Sequence, residues 1–471
     1  PISLIFQTSF DKGVIPNEWK QANVVPIFKG KGSKHIIENY RPISLTSTSC
    51  KVMESIIHKN IVDYCDRNNI LSGEQHGFRN KHSTTTNLLE LMDDITSSVD
   101  NSNSVDIITI DFAKAFDTIS HNKLLHKIQA YGIGGKVKLW IKEFLFNRSF
   151  KVTLNNTSSK EYNVTSSVPQ GSKLAPLLYI LYANDIAKIF KFAKIKMYAD
   201  DLTIYAVVNN NEDKNKFQNE LNELVNWANK WQLKINYEKC HIIHIGNNNL
   251  HFDYILDMHN IIVSKCEKVL GIYIDEKLSF KEHVYECVNK ASRMCALVLN
   301  NVKNVDNSVL IKLFKCFIRP LLEYASVVYS PHHIGLINVI ENVQRRFTKR
   351  LYGMNGIDYS RRLELCNLEL LELRRLHADI IMMYKILNGV ICVNLNNYIS
   401  LSAMHHTRGN TFKLYKYRAK LDIRKFFFSM RIINLWNSLP NNIVCCTSVK
   451  SFVKRLKSFN LSHFLKGHAC Y

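Results

Sequence analysis

The chain has 471 residues, enough for two to four domains with cores of their own, and its 46% hydrophobic content excludes a mostly disordered protein. Its 62 Lys and Arg outnumber its 40 Asp and Glu, and the resulting formal charge of +22 favours a polyanionic partner such as nucleic acid. No apolar run is long enough to span a membrane, so we expect no membrane partner. The 12 cysteines include no Cys-x-x-Cys pair, which indicates reduced intracellular thiols.

The first hundred residues are a basic, loop-rich segment followed by two helices. Pro42 holds Arg41 in an extended conformation that could direct its guanidinium at a ligand. Apolar residues recur at helical spacing over 52–61 and again over 88–95. Between these helices, the polar and aromatic stretch 75–79 suits contacts with a template or a nucleic-acid backbone.

A first candidate catalytic carboxylate follows a predicted strand. Residues 105–110 form a mostly apolar, β-branched run, and Asp111 comes directly after it, before the chain turns toward a helix. In α/β architectures the carboxyl end of a strand faces the ligand crevice, so an acidic residue there is more often functional than one in mid-strand. Phe116 lies five positions further on.

The loop 168–176 is rich in turn-forming residues and leads into an apolar helix over 177–186. Gly171 and the amide of Gln170 could lie under a nucleotide, because a backbone without a side chain can approach a substrate closely. An ordinary Pro-Gly loop before a core helix explains the same residues. This stretch alone leaves both interpretations open.

Asp200 and Asp201 stand together between two strand-like apolar runs, where an ordinary tight turn would carry Asn-Gly or Asp-Gly. Two adjacent carboxylates on a rigid hairpin repel each other unless a cation neutralises them. Mg²⁺ prefers such oxygen ligands and completes its shell with water and substrate phosphates, so the pair suggests phosphoryl chemistry. By itself an Asp-Asp pair is more often a solvated loop, so the other motifs must support the catalytic interpretation.

Beyond residue 275 the sequence predicts helices. Basic and aromatic residues are interleaved over 340–351. The candidate nucleic-acid contacts in this stretch are Arg345, Arg346, Lys349 and Arg350. Such a helix can follow the phosphates of a duplex, although a solvated basic face is the commoner meaning of a single arginine run. The stretch 431–440 has the composition of a packed motif, and its role is open from the sequence.

Taken in order, these stretches resemble the motifs of reverse transcriptases from non-LTR retrotransposons of the Jockey group. The matching motifs are Asn-Tyr-Arg-Pro-Ile-Ser-Leu at 39–45, Gln-His-Gly-Phe-Arg at 75–79, Asp-Phe-Ala-Lys-Ala-Phe-Asp at 111–117, Pro-Gln-Gly-Ser at 169–172 and Tyr-Ala-Asp-Asp at 198–201. Their order and intervals make the resemblance specific. The sequence departs from the family pattern at Ser167 and Ala175, where glycine is usual, and Ser167 cannot adopt a positive φ as cheaply as glycine.

The resemblance implies an α+β right-hand polymerase with fingers, a palm that contains an antiparallel sheet, and a helical thumb. The implied regions are fingers at 1–100 with part of 150–175, palm at 101–245, a primer-grip hairpin region at 246–280, thumb at 281–400 and a basic, mostly helical C-terminal region at 401–471. Residues 269–273 resemble the primer-grip hairpin itself.

The resemblance also implies roles for individual residues. Asp111, Asp200 and Asp201 would hold two Mg²⁺ ions, with Mn²⁺ as a substitute, and Lys239 would lie near the leaving pyrophosphate. The residues implied to contact the incoming nucleotide are Arg41, Phe116, Gln170 and Gly171, and Phe116 would be the steric gate against ribonucleotides. Arg79 joins the four basic residues of 340–351 as a predicted nucleic-acid contact.

The implied activity is extension of a DNA primer with dNTPs on an RNA template. Because the chain opens on Pro1 rather than Met, we expect it to begin inside a longer reading frame. The resemblance adds an upstream endonuclease domain as a further partner, and we expect an intracellular location in the nucleus, the cytoplasm or both. One alternative is an inactive or repurposed fragment that only binds nucleic acid, which the intact carboxylates disfavour. A viral RNA-templated RNA polymerase is disfavoured by the bulk of Phe116, and a group II intron maturase by the sequence at 436–440.

Overall fold

The computed structural model of the chain describes residues 1–30, 32–155, 157–394, 399–402 and 410–467. The elements up to residue 275 are α1 (Ile2–Lys12), α2 (Asn17–Lys20), β1 (Gln21–Phe28), β2 (Tyr40–Leu45), α3 (Thr48–Arg67), α4 (Thr84–Asp100), β3 (Val105–Ile110), α5 (His121–Ala130), α6 (Gly135–Leu145), β4 (Ser149–Leu154), β5 (Thr157–Ser158), β6 (Tyr162–Asn163), α7 (Ala175–Ala183), β7 (Lys194–Tyr198), β8 (Asp201–Val207), α8 (Asn211–Trp231), β9 (His241–Ile245), β10 (Ile255–Leu256), β11 (His259–Asn260), β12 (Ile262–Val263), β13 (Cys266–Val269) and β14 (Ile272–Asp275). The helices after it are α9 (Lys281–Asn301), α10 (Asn307–Leu313), α11 (Arg319–Glu323), α12 (Ser326–Tyr329), α13 (Ile334–Lys349), α14 (Tyr359–Cys366), α15 (Leu371–Leu387), α16 (Asp422–Lys425), α17 (Phe428–Asn437), α18 (Asn441–Val444) and α19 (Val449–Leu456). No described helix combines the length and apolarity that a bilayer crossing requires.

Five strands form the central sheet in the order β12-β9-β3-β8-β7. The middle strand, β3, pairs antiparallel with both β8 and β9. Because side chains alternate between the two faces of a strand, Ile107 packs into one apolar core with α4 and the helices after residue 281, whereas Ile108 packs into a second core with α5, α7 and α8. Both faces of the sheet are therefore covered, which makes β3 a rigid support for the residue that follows it.

Helix α3 confirms the helix predicted over 52–61, but its buried face differs from the predicted apolar spacing. Ile57 and Ile61 are buried, while Val52 and Ile56 are about half exposed, at 50% and 48%. Ile57 and Ile61 therefore belong to the buried stripe, which also includes Met53 but not Val52 or Ile56. Apolar residues on neighbouring faces of a helix cannot all reach one core, so the spacing alone did not identify the buried face.

A second sheet combines segments that are distant in the sequence. Its strands follow the order β2-β1-β4-β5, and β6 pairs with β4. β1 runs parallel to β4, with Gln21 opposite Ser149, so the segment around 150 joins the N-terminal strands. The mixed α+β class is thus confirmed, while the boundaries of the predicted domains stay predictions.

Strands β13 and β14 form an antiparallel hairpin in which Val269 pairs with Ile272. Leu270 and Gly271 make its turn, and both have positive φ. Tyr324, at the end of α11, donates a hydrogen bond from its hydroxyl to the Leu270 carbonyl at 2.8 Å. The hairpin resembling the primer grip is therefore fastened to the helical half of the chain.

The C-terminal helices are tied to the rest of the structure by two ion pairs. Arg424 donates to the buried carboxylate of Asp93 on α4 at 2.8 Å, and Arg431 donates to both carboxylate oxygens of Asp379 on α15, each at 2.8 Å. Trp436 is fully buried, as expected for a packed motif. Because removal of one partner leaves an uncompensated buried charge, these pairs fix how α16 and α17 lie against α4 and α15.

Candidate active site

The strand register brings the three predicted carboxylates to one end of the central sheet. Ile110, the last residue of β3, pairs with Leu202 of β8. Continuing this antiparallel register by one residue sets Asp111 beside Asp201. Asp200 occupies the turn between β7 and β8. Two strand ends therefore supply three acidic side chains to one site.

Burial and neighbouring negative charges make Asp200 and Asp201 harder to ionise. Desolvation by the surrounding protein is the largest cause, and together with the charges of Asp200 and Asp111 it raises the pKa of Asp201 to about 6. Desolvation and the charge of Asp111 also raise the pKa of Asp200, while Arg41 acts in the opposite direction. Part of the Asp201 side chain stays exposed, so a ligand can reach it.

The turn before β9 holds Asp111 in place. The Asn236 side chain donates from Nδ2 to Asp111 Oδ2 at 3.2 Å, and the Asn236 backbone N–H donates to the Asp111 carbonyl at 2.8 Å. Lys239 Nζ lies 3.6 Å from Asp111 Oδ2. The Lys239 side chain is mostly exposed, so this ion pair is weak and the ammonium group can turn toward an anionic ligand.

Phe116 belongs to a pair of aromatic rings near the carboxylates. Its ring stacks on Tyr179 of α7, with centroids 4.6 Å and planes 20° apart. Tyr179 is fully buried, and after burial the charges of Asp200 and Asp201 are the causes that raise the pKa of its hydroxyl. The ring pair is therefore within electrostatic reach of the carboxylates, with half-buried Phe116 as its outer member.

The loop before α7 packs against β2. Gln170 donates from Nε2 to Asp117 Oδ1 at 2.9 Å, and the Ser44 N–H donates to the Gln170 carbonyl at 2.7 Å. Gly171 has a φ of +110°, and a Cβ there would lie 2.7 Å from the Ser44 carbonyl oxygen, so this close approach requires glycine. Arg41 lies exposed on the same strand as Ser44. These contacts connect the predicted nucleotide-binding residues of two separate motifs.

The predicted nucleic-acid contacts differ in how accessible they are. Arg79 Nη1 donates to the Ser72 carbonyl at 2.5 Å, which gives this side chain a structural partner within its own loop. Arg345 is half-buried, with its guanidinium 4.9 Å from the centroid of the Tyr359 ring. The exposed basic residues at the end of α13 are Arg346, Lys349 and Arg350.

Ser167, which replaces the usual glycine, adopts a strained conformation with a φ of +95°. Its N–H donates to the Ile119 carbonyl at 3.0 Å, and its own carbonyl contacts His121 Nε2 at 2.7 Å. The next residue, Val168, donates to the Phe116 carbonyl at 3.0 Å. The loop thus holds Ser167 in a region of φ that favours glycine.

We expect Ser167→Gly to stabilise the protein by about 0.5–1 kcal/mol, because relief of positive φ, about 1–2 kcal/mol, exceeds the entropic cost of glycine, about 0.5–1 kcal/mol. Denaturant titration measures the change. Ser167→Ala is the matched control, since it keeps the Cβ and should give no gain. A Ser167→Gly protein less stable than Ser167→Ala would contradict the strain.

The three carboxylates of the site are chemically suited to bind a divalent cation. Among the described residues, no three His, Cys, Asp or Glu side chains are gathered closely enough to form a ready-made metal cluster. Mg²⁺ needs only one or two carboxylates when water and substrate phosphates complete its shell. Burial first, and then the neighbouring carboxylate charges, raise the pKa of Asp200 and Asp201, and a divalent cation would offset both effects. The site therefore suits a cation that arrives with a phosphate ligand.

Sequence reasoning missed three residues of this site. Tyr179 sits in an apolar helix whose spacing indicates only core, so no local signal marks it. Asn236 stands three residues before Lys239, and that proximity was its only signal. Asp117 ends the motif that Asp111 begins, and burial raises the pKa of its carboxyl.

Comparison with curated proteins gives relatives over most of the chain. The RNA-directed DNA polymerase from mobile element jockey of Drosophila melanogaster is 27% identical over 368 residues, which is 75% of this chain and 40% of the relative. The probable RNA-directed DNA polymerase from transposon BS of the same species is 27% identical over 395 residues, or 78% of this chain and 42% of the relative. The chain therefore spans about 40% of the length of these relatives.

Among solved structures, a telomerase from Candida tropicalis in complex with a TWJ fragment of telomeric RNA aligns with 98% of this chain and 68% of its own, at 10% identity and a TM-score of 0.46. The family described as reverse transcriptase (RNA-dependent DNA polymerase) matches residues 29–276, a span that holds all five motifs and the three carboxylates. Because this match covers more than half of the chain, the protein belongs to the reverse transcriptase family, with relatives among the polymerases of non-LTR retrotransposons.

Proposed function

We propose that this chain is the polymerase part of a non-LTR retrotransposon protein and that it extends a DNA 3′ end with dNTPs on an RNA template. The observation that carries the proposal is the register of the central sheet, which sets Asp111 beside Asp201 and next to the turn at Asp200. Family membership supports the reaction class. The whole retrotransposon protein would also contain an upstream endonuclease domain.

In this proposal Asp111, Asp200 and Asp201 hold two divalent cations, Mg²⁺ in the cell and Mn²⁺ as a substitute. Cations bound there would lower the pKa of the primer hydroxyl and offset the charge of the triphosphate. The protein's own contribution is to orient the carboxylates, and Asn236 does this for Asp111 through two hydrogen bonds. Lys239 supplies an exposed positive charge beside Asp111 that can meet the leaving pyrophosphate.

The residues around the carboxylates form the proposed nucleotide pocket. Arg41 is exposed and within electrostatic reach of Asp200, so it can bind the triphosphate. Gln170 and Gly171 present backbone and amide groups on the loop that packs against β2. The half-buried ring of Phe116, supported by Tyr179, can close the pocket where the sugar of the nucleotide would lie.

In this proposal each larger unit of the fold is one part of the right-hand polymerase that holds the nucleic acid. The sheet containing β1, β2 and β4 serves as the fingers, the central sheet as the palm, the β13–β14 hairpin as the primer grip, and α9–α15 as the thumb. Just after α13, Tyr352 is 92% exposed, while its backbone N–H and carbonyl both bond to the Asn307 side chain. This fixed aromatic residue next to exposed basic side chains suits contact with nucleic acid.

We expect binding to a primer-template to fall steeply with salt, and replacement of Arg346, Lys349 and Arg350 by Gln to reduce the slope of log K against log salt by about 2–3. For each phosphate contact that the variant loses, about one counterion fewer is released when the protein binds. Fluorescence anisotropy over a salt series measures the slope.

The matched control neutralises Lys450, Lys454 and Lys457, three exposed residues of α19 and its end. That variant should keep the wild-type slope within about one unit. An unchanged slope in the α13 variant, or an equal change in the α19 variant, would make the α13 residues an ordinary solvated face.

The alternative is a protein that binds nucleic acid without catalysis, which the charge of +22 would also support. The discriminating experiment incubates the purified chain with a DNA primer annealed to RNA, dNTPs and Mg²⁺. Primer elongation supports the polymerase, and tight binding without elongation supports the alternative. As a retrotransposon polymerase the protein would act in the nucleus, the cytoplasm or both.

A further inference from the structure

A short segment of the loop before α4 pairs with the edge of the central sheet. The His76 N–H donates to the Met197 carbonyl at 2.9 Å, and the Met197 N–H donates to the Glu74 carbonyl at 2.9 Å. Gln75 and Met197 form an isolated parallel bridge. Residues 74–77, which we name the brace, therefore act as an extra edge strand on β7, directly before the Asp200 turn.

The Gln75 side chain extends this pairing into the turn itself. Its Oε1 accepts hydrogen bonds from the Ala199 N–H at 3.0 Å and from the Gly77 N–H at 2.7 Å. Its Nε2 donates to the Ala199 carbonyl at 3.3 Å. Gln75 is only 1% exposed, so the amide is held away from solvent. One buried side chain thus contacts both backbone polar groups of the residue before Asp200.

Ala199 has a conformation that needs such support. Its φ is +57°, in the left-handed region that residues with a Cβ adopt at a cost. The orientation of the Ala199 backbone determines the direction in which the chain enters Asp200 and then Asp201. If the turn relaxed to a negative φ, the chain would enter Asp200 in another direction, and the Asp200 carboxylate would leave its place beside the Asp111 and Asp201 carboxylates.

Gly77 allows the brace to come this close. A Cβ at position 77 would collide with the backbone nitrogen of Ala199 and would lie 3.0 Å from the Tyr198 carbonyl carbon. Both of these atoms are backbone and cannot move aside without shifting the turn. The glycine therefore serves close approach to the catalytic turn, which local sequence patterns do not reveal.

We propose that Gln75 is a positioning residue that, with Gly77, holds the Ala199 turn and so sets the direction of the Asp200 and Asp201 carboxylates. This role differs from template contact, because the Gln75 amide is buried against the sheet. Its catalytic consequence rests on the proposed polymerase function. Its structural consequence, a turn protected from opening, does not depend on that function.

The test compares Gln75→Met with Asn87→Leu. Both changes replace a buried amide with an apolar side chain of similar size, and the Asn87 amide bonds to β7 just before the turn that the Gln75 amide contacts. Asn87 Nδ2 donates to the Met197 carbonyl at 3.0 Å, one strand residue further from the turn than Tyr198. Asn87→Leu therefore controls for general loss of stability at this edge of the sheet.

Three properties of the full chain are measured in each variant. For Gln75→Met we expect amide exchange in the peptide 197–203 to be at least about tenfold faster, since the Ala199 N–H loses its acceptor. We expect Mn²⁺ binding, measured by electron paramagnetic resonance with Mn²⁺ alone, to weaken by about fivefold or more. We expect kcat to fall by about tenfold or more while the Kd for primer-template changes by less than about twofold.

Asn87→Leu should stay near the wild type in all three measurements, and Gly77→Ala should behave like Gln75→Met. Wild-type exchange and Mn²⁺ binding in Gln75→Met, or equal changes in Asn87→Leu, would overturn the proposal. If the wild-type protein extends no primer, the polymerase function fails, but the exchange measurement still decides whether Gln75 holds the turn.

Discussion

Primer extension should fall by about a thousandfold or more in Asp111→Asn and in Asp200→Asn, equivalent to about 4 kcal/mol of lost transition-state stabilisation. Each change removes a charge that the proposed cations require, and asparagine keeps nearly the same volume. Binding to primer-template should change by less than about twofold, because neither change removes a positive charge that contacts phosphate. Single-turnover extension and fluorescence anisotropy measure the two effects separately.

Asp63→Asn is the charge-matched control for this prediction. Asp63 is exposed on α3, and its replacement removes the same charge outside the candidate site. We expect its extension rate to stay within about twofold of the wild type. Extension at a near wild-type rate by either site variant would refute the assignment of Asp111 or Asp200 as a cation ligand.

Replacing Phe116 with Val or Ala should raise incorporation of ribonucleotides relative to deoxyribonucleotides at least about tenfold, or about 1.4 kcal/mol of lost discrimination. The ring is stacked on buried Tyr179, so it cannot easily move aside from a 2′-hydroxyl. Such a clash rejects the wrong sugar more strongly than added contacts could favour the right one. Smaller side chains would remove the clash and cost some dNTP efficiency.

Single-nucleotide insertion with each of the two substrates measures this ratio. Phe116→Tyr is the conservative variant, and it should keep the discrimination of the wild type because the ring remains. If the dNTP-to-rNTP ratio stays at its wild-type value in both Phe116→Val and Phe116→Ala, Phe116 is a core residue and the discrimination comes from another part of the pocket.

The sequence predicted those parts of the fold that depend on local patterns. The apolar run before Asp111 is the central strand β3, and the runs around Asp200 and Asp201 are the strands β7 and β8, because burial on both faces demands such residues. The amphipathic pattern over 88–95 is a buried part of α4. For α3 the pattern predicted the helix but only part of its buried face, since that face depends on which neighbour covers it.

The supporting contacts of the site could not be predicted in the same way. Asn236 contacts Asp111 across 125 residues of sequence, and Gln75 contacts Ala199 across 124. A side chain whose role depends on a partner so distant in sequence leaves no periodic signal. The sequence around Asn236 and Gln75 therefore suggests only loops or general nucleic-acid contacts. Ser167 is different, because the sequence alone drew attention to it. It stands where the family usually has glycine, and it has a positive φ in the structure.

RNA-templated DNA synthesis is tested most directly by extension on an RNA template of known sequence with one dNTP omitted at a time. We expect a DNA primer to grow in the presence of Mg²⁺ and each omission to stop the product before the first template base that requires the missing nucleotide. Asp200→Asn should give no product above background. Two outcomes would contradict RNA-templated DNA synthesis by this chain. One is a product whose length does not depend on which nucleotide is omitted, and the other is the absence of product from a protein that still binds primer-template.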